Sequence, residues 1–126
     1  MQVLPSNHPD TAGTLNNLAL LYKAKGEYKK AVPLYERSLA IIRSVRGDVH
    51  SETAACMSNL ALLLKIMGEH DRAVRLYKKA LSVREKTCGP DHPDTAMSLN
   101  NLAEQFRVMG RAADVTYSQC LTHSFA

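Results

Sequence analysis

The sequence predicts an all-α solenoid of three helix-turn-helix hairpins, the third one shortened. Two observations carry this expectation. A period of 42 residues relates His8 to His50 and His92, Asn17 to Asn59 and Asn101, and Gly26 to Gly68 and Gly110. Around each of those glycines, apolar residues recur at spacings of three and four, the signature of amphipathic helices. Without any gap, residues 8–49 and 50–91 are identical at 17 of 42 positions, and 92–111 repeat 11 of the 20 residues of 8–27. One domain, 1–126, therefore divides into repeat 1 (8–49), repeat 2 (50–91) and a degenerate repeat 3 (92–121).

The first helix of each repeat carries one packed stripe: Leu15, Leu18, Ala19 and Tyr22, then Met57, Leu60, Ala61 and Leu64, then Leu99, Leu102, Ala103 and Phe106. Pro9 and Pro93 suit a first helical position, where the missing N–H costs nothing, and Asp10, Glu52 and Asp94 place negative charge in the first turn. Gly26, Gly68 and Gly110 stand where a chain leaving a helix takes a left-handed residue. The second helix follows with Ala31, Leu34, Tyr35 and Leu39, repeated as Ala73, Leu76, Tyr77 and Leu81. Pro33 lies inside the first of these and is expected to remove one backbone hydrogen bond and bend the helix locally, since Arg75 replaces it one repeat on. In repeat 3 the glycine-to-leucine interval shrinks from 13 residues (Gly26 to Leu39) to 11 (Gly110 to Leu121), so Ala112 to Thr116 predict a short or irregular helix.

Composition narrows the function classes. At 126 residues, 45% hydrophobic and 22% charged, the chain can bury a core and is not expected to be disordered. No apolar run approaches the roughly 20 residues of a membrane span, and Met1 to Asn7 lack the features of a signal peptide, which makes a soluble cytoplasmic protein the expectation. Cys56, Cys88 and Cys120 are odd in number and lack metal-finger spacing, so free thiols are expected and no metal or cofactor. A net charge of +4 mildly favours acidic partners.

The run Leu15, Leu18, Ala19, Tyr22, Gly26, Ala31, Tyr35, Ser38 and Leu39 resembles the tetratricopeptide repeat. More narrowly, the 42-residue period and the phrases HPDTAGTLNNLALLYKAKGEYKKAVPLYERSLAI and GPDHPDTAMSLNNLA resemble the kinesin light chain and nephrocystin type of that repeat. The resemblance covers residues 8 to 121 and implies a right-handed superhelix whose first helices line a concave groove. VLPSNHPD at the start resembles the inter-repeat linker TCGPDHPD of residues 87–94, and a piece of a longer array is the expectation. Uncapped ends of such an array predict self-association.

At 100° per residue, Gly13, Asn17, Leu20 and Ala24 fall between about 140° and 200° from Leu15, away from the packed stripe. Equivalent positions become rungs: Asn17, Asn59 and Asn101; Leu20, Leu62 and Glu104; Ala24, Ile66 and Val108. Asn16, Ser58 and Asn100, with Lys23, Lys65 and Arg107, sit on one flank. An asparagine offers a donor and an acceptor at one site, so a ladder of them can hold the amides of an extended peptide. The cations would pair with acidic side chains, and Leu20, Leu62 and Ile66 would receive an apolar anchor. The alternative is that the asparagines bond helix to helix and the cations form a solvated flank.

The resemblance implies peptide binding in this groove, often of acidic segments, with Asn17, Asn59 and Asn101 contacting the peptide backbone. Ser58, shorter than Asn16 and Asn100, puts the flank contact of repeat 2 in doubt, and Glu104 makes repeat 3 less welcoming to an acidic ligand.

Catalytic strings are missing: there is no P-loop, H-E-x-x-H or G-x-G-x-x-G. His8, His50 and His92 lie one repeat apart, too far to share an ion, and read as linker residues near helix starts. Lys29, Lys30, Lys78, Lys79, Arg72 and Arg75 are diluted by Glu27, Glu36, Glu69 and Asp71, so nucleic acid is not expected. The expected function is a non-catalytic protein-interaction module for an extended acidic peptide. The alternative is a scaffold or regulatory sensor segment that packs on its own nucleotide-switched or motor parent.

Overall fold

The computed structural model describes residues 8–110, which form five helices: α1 (Pro9–Ala24), α2 (Tyr28–Arg46), α3 (Ser51–Ile66), α4 (His70–Thr87) and α5 (Pro93–Val108). Helices α1 and α2 pair as one hairpin and α3 and α4 as the next, while α2 packs on α3 and α4 on α5, so the hairpins stack in chain order. The segment Ala112 to Thr116, where the sequence predicts a shortened second helix, lies outside the described residues.

The helix starts are built alike. Pro9 and Pro93 occupy the first helical position, as expected. Each preceding histidine has extended backbone and caps the helix: Nδ1 of His8, His50 and His92 accepts the N–H of Asp10, Glu52 and Asp94, at 3.0 Å in all three. The linker histidines are thus helix caps, a role usually held by Ser, Thr, Asp or Asn. The threonines of the repeated phrase tie each start to the preceding turn, with Oγ1 of Thr53 donating to the Gly47 carbonyl and Oγ1 of Thr95 to that of Gly89, both at 2.7 Å.

The stops are also shared. At the end of α3, Gly68 takes φ +84°; its N–H donates to the Lys65 carbonyl at 3.1 Å and the Glu69 N–H reaches back to Leu64 at 2.8 Å. Gly26 and Glu27 make the same pair of bonds to Lys23 and Tyr22. This motif satisfies carbonyls left over at a helix end and requires a left-handed residue. Gly13, by contrast, sits exposed inside α1, and a Cβ there would meet nothing within 4 Å. Gly68→Ala is therefore expected to cost about 1–2 kcal/mol, while Gly13→Ala is expected to add about 0.5–1 kcal/mol. Urea denaturation of the two variants would read opposite shifts in midpoint; shifts of the same sign would refute this account.

The core is a continuous seam. Ala19, Ala31, Ala61 and Ala73 are fully buried and let the two helices of each hairpin approach closely, with Tyr35, Leu39, Leu60, Leu63, Leu64, Tyr77, Leu81, Leu102 and Phe106 filling the space around them. Burial pushes the Tyr77 phenol up to about 12, so it stays neutral in this seam. Helix α2 runs unbroken through Pro33, whose ring is exposed. One member of the expected packed stripe departs from it: Leu18 is 39% exposed, against 3% for Leu60 and 1% for Leu102. The same contrast holds one turn further on, where Leu21 is 53% exposed and its equivalents Leu63 and Gln105 are fully buried. The physical reason is position: α3 and α5 each lie against a preceding second helix, α2 and α4, which covers these residues. Among the described residues none covers them on α1.

Candidate peptide-binding face

The first helices α1, α3 and α5 present the predicted rungs on the side turned away from the core seam. Asn17 and Asn59 are exposed and Asn101 is half-buried; Leu20, Leu62, Ile66, Ala24 and Val108 are exposed although several are large and apolar. On the flank, Asn16 is half-buried and Asn100 exposed, while the Ser58 hydroxyl is buried with no hydrogen-bond partner among the described residues, so it is turned in rather than offered to a ligand. Lys23 and Lys65 are half-buried and Arg107 is exposed.

Neighbouring first helices are joined across this face. The Asn59 Nδ2 donates to Asn16 Oδ1 at 3.4 Å, linking α3 to α1. From α3 to α5 the link is ionic: Lys65 Nζ lies 4.0 Å from the Glu104 carboxylate, which also accepts from Arg107 Nε at 2.9 Å. The Arg107 guanidinium, with Lys65 behind it, holds the Glu104 carboxyl below its usual range. Of the three predicted cations, two are therefore engaged by Glu104, and Lys23 alone among them has no carboxylate partner among the described residues. On this face α1 and α3 each carry one lysine, Lys23 and Lys65, while α5 pairs Arg107 with Glu104. The sequence pattern placed Glu104 on the apolar rung; its grip on the two flanking cations depends on side-chain direction and was not foreseen.

The opposite, outer surface is cross-braced. Arg72 on α4 donates to Glu36 on α2 at 2.8 Å and lies 3.5 Å from Glu69, and Lys30 pairs with Glu27 at 2.9 Å. Lys30 Nζ also sits 5.7 Å from the Tyr22 ring centroid, joining α2 to α1. Part of the basic character read from the sequence is thus internally neutralised.

Helical hairpins stacked in chain order, with alike starts and stops at a 42-residue period, define a helical repeat array. The chain belongs to the tetratricopeptide repeat family: that family's model matches residues 10–86 and, in an overlapping second match, 58–114. Kinesin light chain-like repeat structures are similar over most of the chain. One is a Podosopora anserina protein assigned to the kinesin light chains, with nearly identical TPR-like repeats. It is 26% identical with a TM-score of 0.85, over 95% of this chain and 57% of that one. Another, BtubC (BKLC) from P. vanneervenii, shares the fold at 20% identity and a TM-score of 0.83, over 95% of this chain and 48% of that one. The chain thus spans roughly half the length of these solved structures. No curated protein sequence matches it. Tetratricopeptide repeats are generally protein–protein interaction modules and typically non-catalytic. Among the described residues no helix is long and apolar enough to cross a membrane.

Proposed function

We propose that this chain holds an extended acidic peptide across α1, α3 and α5, as a non-catalytic recognition module. The observation that supports this reading is the coincidence, on one face, of exposed Asn17 and Asn59 with exposed Leu20, Leu62 and Ile66. Asparagine is a weak helix former, and Leu20, Leu62 and Ile66 are only partly covered by the described residues. Asn17, Asn59 and Asn101 would take the peptide amides, Asn16 and Asn100 would support them from the flank, and Lys23 would supply the strongest unengaged charge for an acidic side chain. Lys65 and Arg107 would join only by sharing or releasing Glu104.

An acidic peptide carrying one tryptophan tests this directly, because the chain itself has no tryptophan. The expected result is a saturable blue shift of the indole emission that a scrambled neutral peptide does not give. Asn59→Ala should weaken binding at least about tenfold, the loss of one or two hydrogen bonds to the ligand, with helicity by circular dichroism unchanged. Loss of helicity in that variant would instead assign Asn59 to packing through Asn16.

A second reading is favoured by one observation, the exposure of Leu18 and Leu21 on α1 where their equivalents are buried. In it, the first hairpin packs on another part of its parent protein or on a second copy, and the array serves as a scaffold or sensor segment. No indole shift with helicity intact, together with self-association in sedimentation, would favour this reading over the first.

A further inference from the structure

We infer that Cys88, His92 and Asp94 form a binding site for a divalent transition ion of the zinc class, in the connection between α4 and α5. Cys88 is the C-cap of α4, His92 the N-cap of α5, and Asp94 lies in the first turn of α5. One donor atom from each, a thiol sulfur, an imidazole nitrogen and a carboxylate oxygen, all lie within 4.8 Å of one another. Donors at that greatest separation stand about 2.8 Å from a common centre, and zinc bonds of about 2.0–2.3 Å ask each to close in by roughly half an ångström or more. The three side chains are exposed or half-buried, so this adjustment needs no movement of the packed seam. Sulfur with imidazole and carboxylate selects zinc or cobalt over magnesium and calcium, which prefer oxygen donors throughout.

The repeat supplies a built-in comparison. One period earlier, the same three places hold Arg46, His50 and Glu52, where Arg46 Nε lies 3.4 Å from the Glu52 carboxylate and closes the connection by an ion pair. The histidine caps its helix in both connections, and the threonine bond to the turn glycine is present in both. Cap and turn therefore do not account for Cys88. Its effect is to exchange a cation for a soft donor, beside an acidic residue that has lost the arginine. Among the described residues, the hydrogen-bond contact of Cys88 Sγ is with Thr87 Oγ1, at 3.6 Å.

The site lies between the carbonyl end of α4 and the amide end of α5, whose dipoles oppose one another, and the Arg84 guanidinium donates to the Asp94 carbonyl at 3.4 Å, so the thiolate and the carboxylate must meet the charge of a bound ion beside a resident cation. Binding releases the thiol proton to solvent. Nδ1 of His92, 3.9 Å from the Asp94 carboxylate, also accepts the Asp94 N–H, so an ion taken through Nδ1 exchanges that cap bond for a metal bond, and three protein ligands leave a fourth position for water. The sequence reading weighed the histidines only against one another, across repeats; the partner of His92 lies four residues upstream in its own connection.

Cobalt(II) titrated into the reduced 126-residue chain tests the site, because a thiolate ligand produces a near-ultraviolet charge-transfer band. A saturating band displaced by zinc is expected, and it should survive Cys56→Ser combined with Cys120→Ser. Cys88→Ser should abolish it. His92→Asn, which keeps a capping side chain, and Asp94→Asn should each weaken zinc at least about tenfold in competition with a chromophoric chelator, with helicity unchanged. A band that persists in Cys88→Ser, a wild-type chain without one, or zinc affinity indifferent to both His92→Asn and Asp94→Asn would overturn the proposal.

Discussion

Leu63→Ala is expected to lower the stability of the chain by about 2–5 kcal/mol, whereas Leu21→Ala should cost less than about 1 kcal/mol. The two leucines are one period apart and occupy the same place in their helices. Their burial differs completely: Leu63 is fully buried in the core seam, and Leu21 is 53% exposed on α1. Truncating Leu63 removes the transfer free energy of the lost carbons and leaves a cavity among Leu60, Leu64 and their neighbours, whereas truncating Leu21 removes atoms already in contact with water. Urea denaturation followed by helicity would separate them. Equal losses would mean that some body covers α1 in solution as α2 covers α3, which is also the state that the scaffold reading requires.

The second large effect is a gain. Gln105 is fully buried at the place held by Leu63 one repeat earlier; its Nε2 lies 2.8 Å from Nδ1 of His70, and its Oε1 has no hydrogen-bond partner among the described residues. An unpaired buried carbonyl oxygen costs about 1–3 kcal/mol, more than the roughly 1 kcal/mol that one hydrogen bond returns. Gln105→Leu restores the residue that the repeat itself uses at this position and leaves His70, which is only half-buried, able to find water. An increase of about 1–3 kcal/mol in stability is expected, read as a higher denaturation midpoint with an unchanged slope. A decrease would show that the pair from Gln105 to His70 matters more to the docking of α5 on α4 than the orphaned oxygen costs.

Much of the fold was legible because a repeat states its own rules several times. Proline at a helix start, glycine at a helix stop and alanine at the helix crossing each recur at fixed spacing, and each reports a local backbone requirement that one chain segment can express. The same reading assigned Leu18 to the packed face and could not know that nothing among the described residues would lie against it, because periodicity identifies a helix face and not its neighbour. The candidate site divides along the same line. The asparagine and aliphatic rungs follow from helical geometry alone. The bond from Asn59 to Asn16, the hold of Glu104 on Lys65 and Arg107, and the capping by His8, His50 and His92 depend on side-chain direction. They are pairings between helices or within a turn, and sequence spacing carries little trace of them.

The unequal cover on the helices has a consequence for how the chain opens. Where neighbours supply most of the stabilisation, the free energy of local unfolding follows the number of neighbours. Helices α2, α3 and α4 each pack closely on two described helices, whereas α1 packs closely on α2 alone and α5 on α4 alone. Among the described helices, local opening is therefore expected to be easiest at α1 and α5, and Lys23 and the exposed leucines lie on the first of these. The unengaged charge of the face thus sits on a helix that can reshape around a partner at lower cost than the centre, where α3 holds the register.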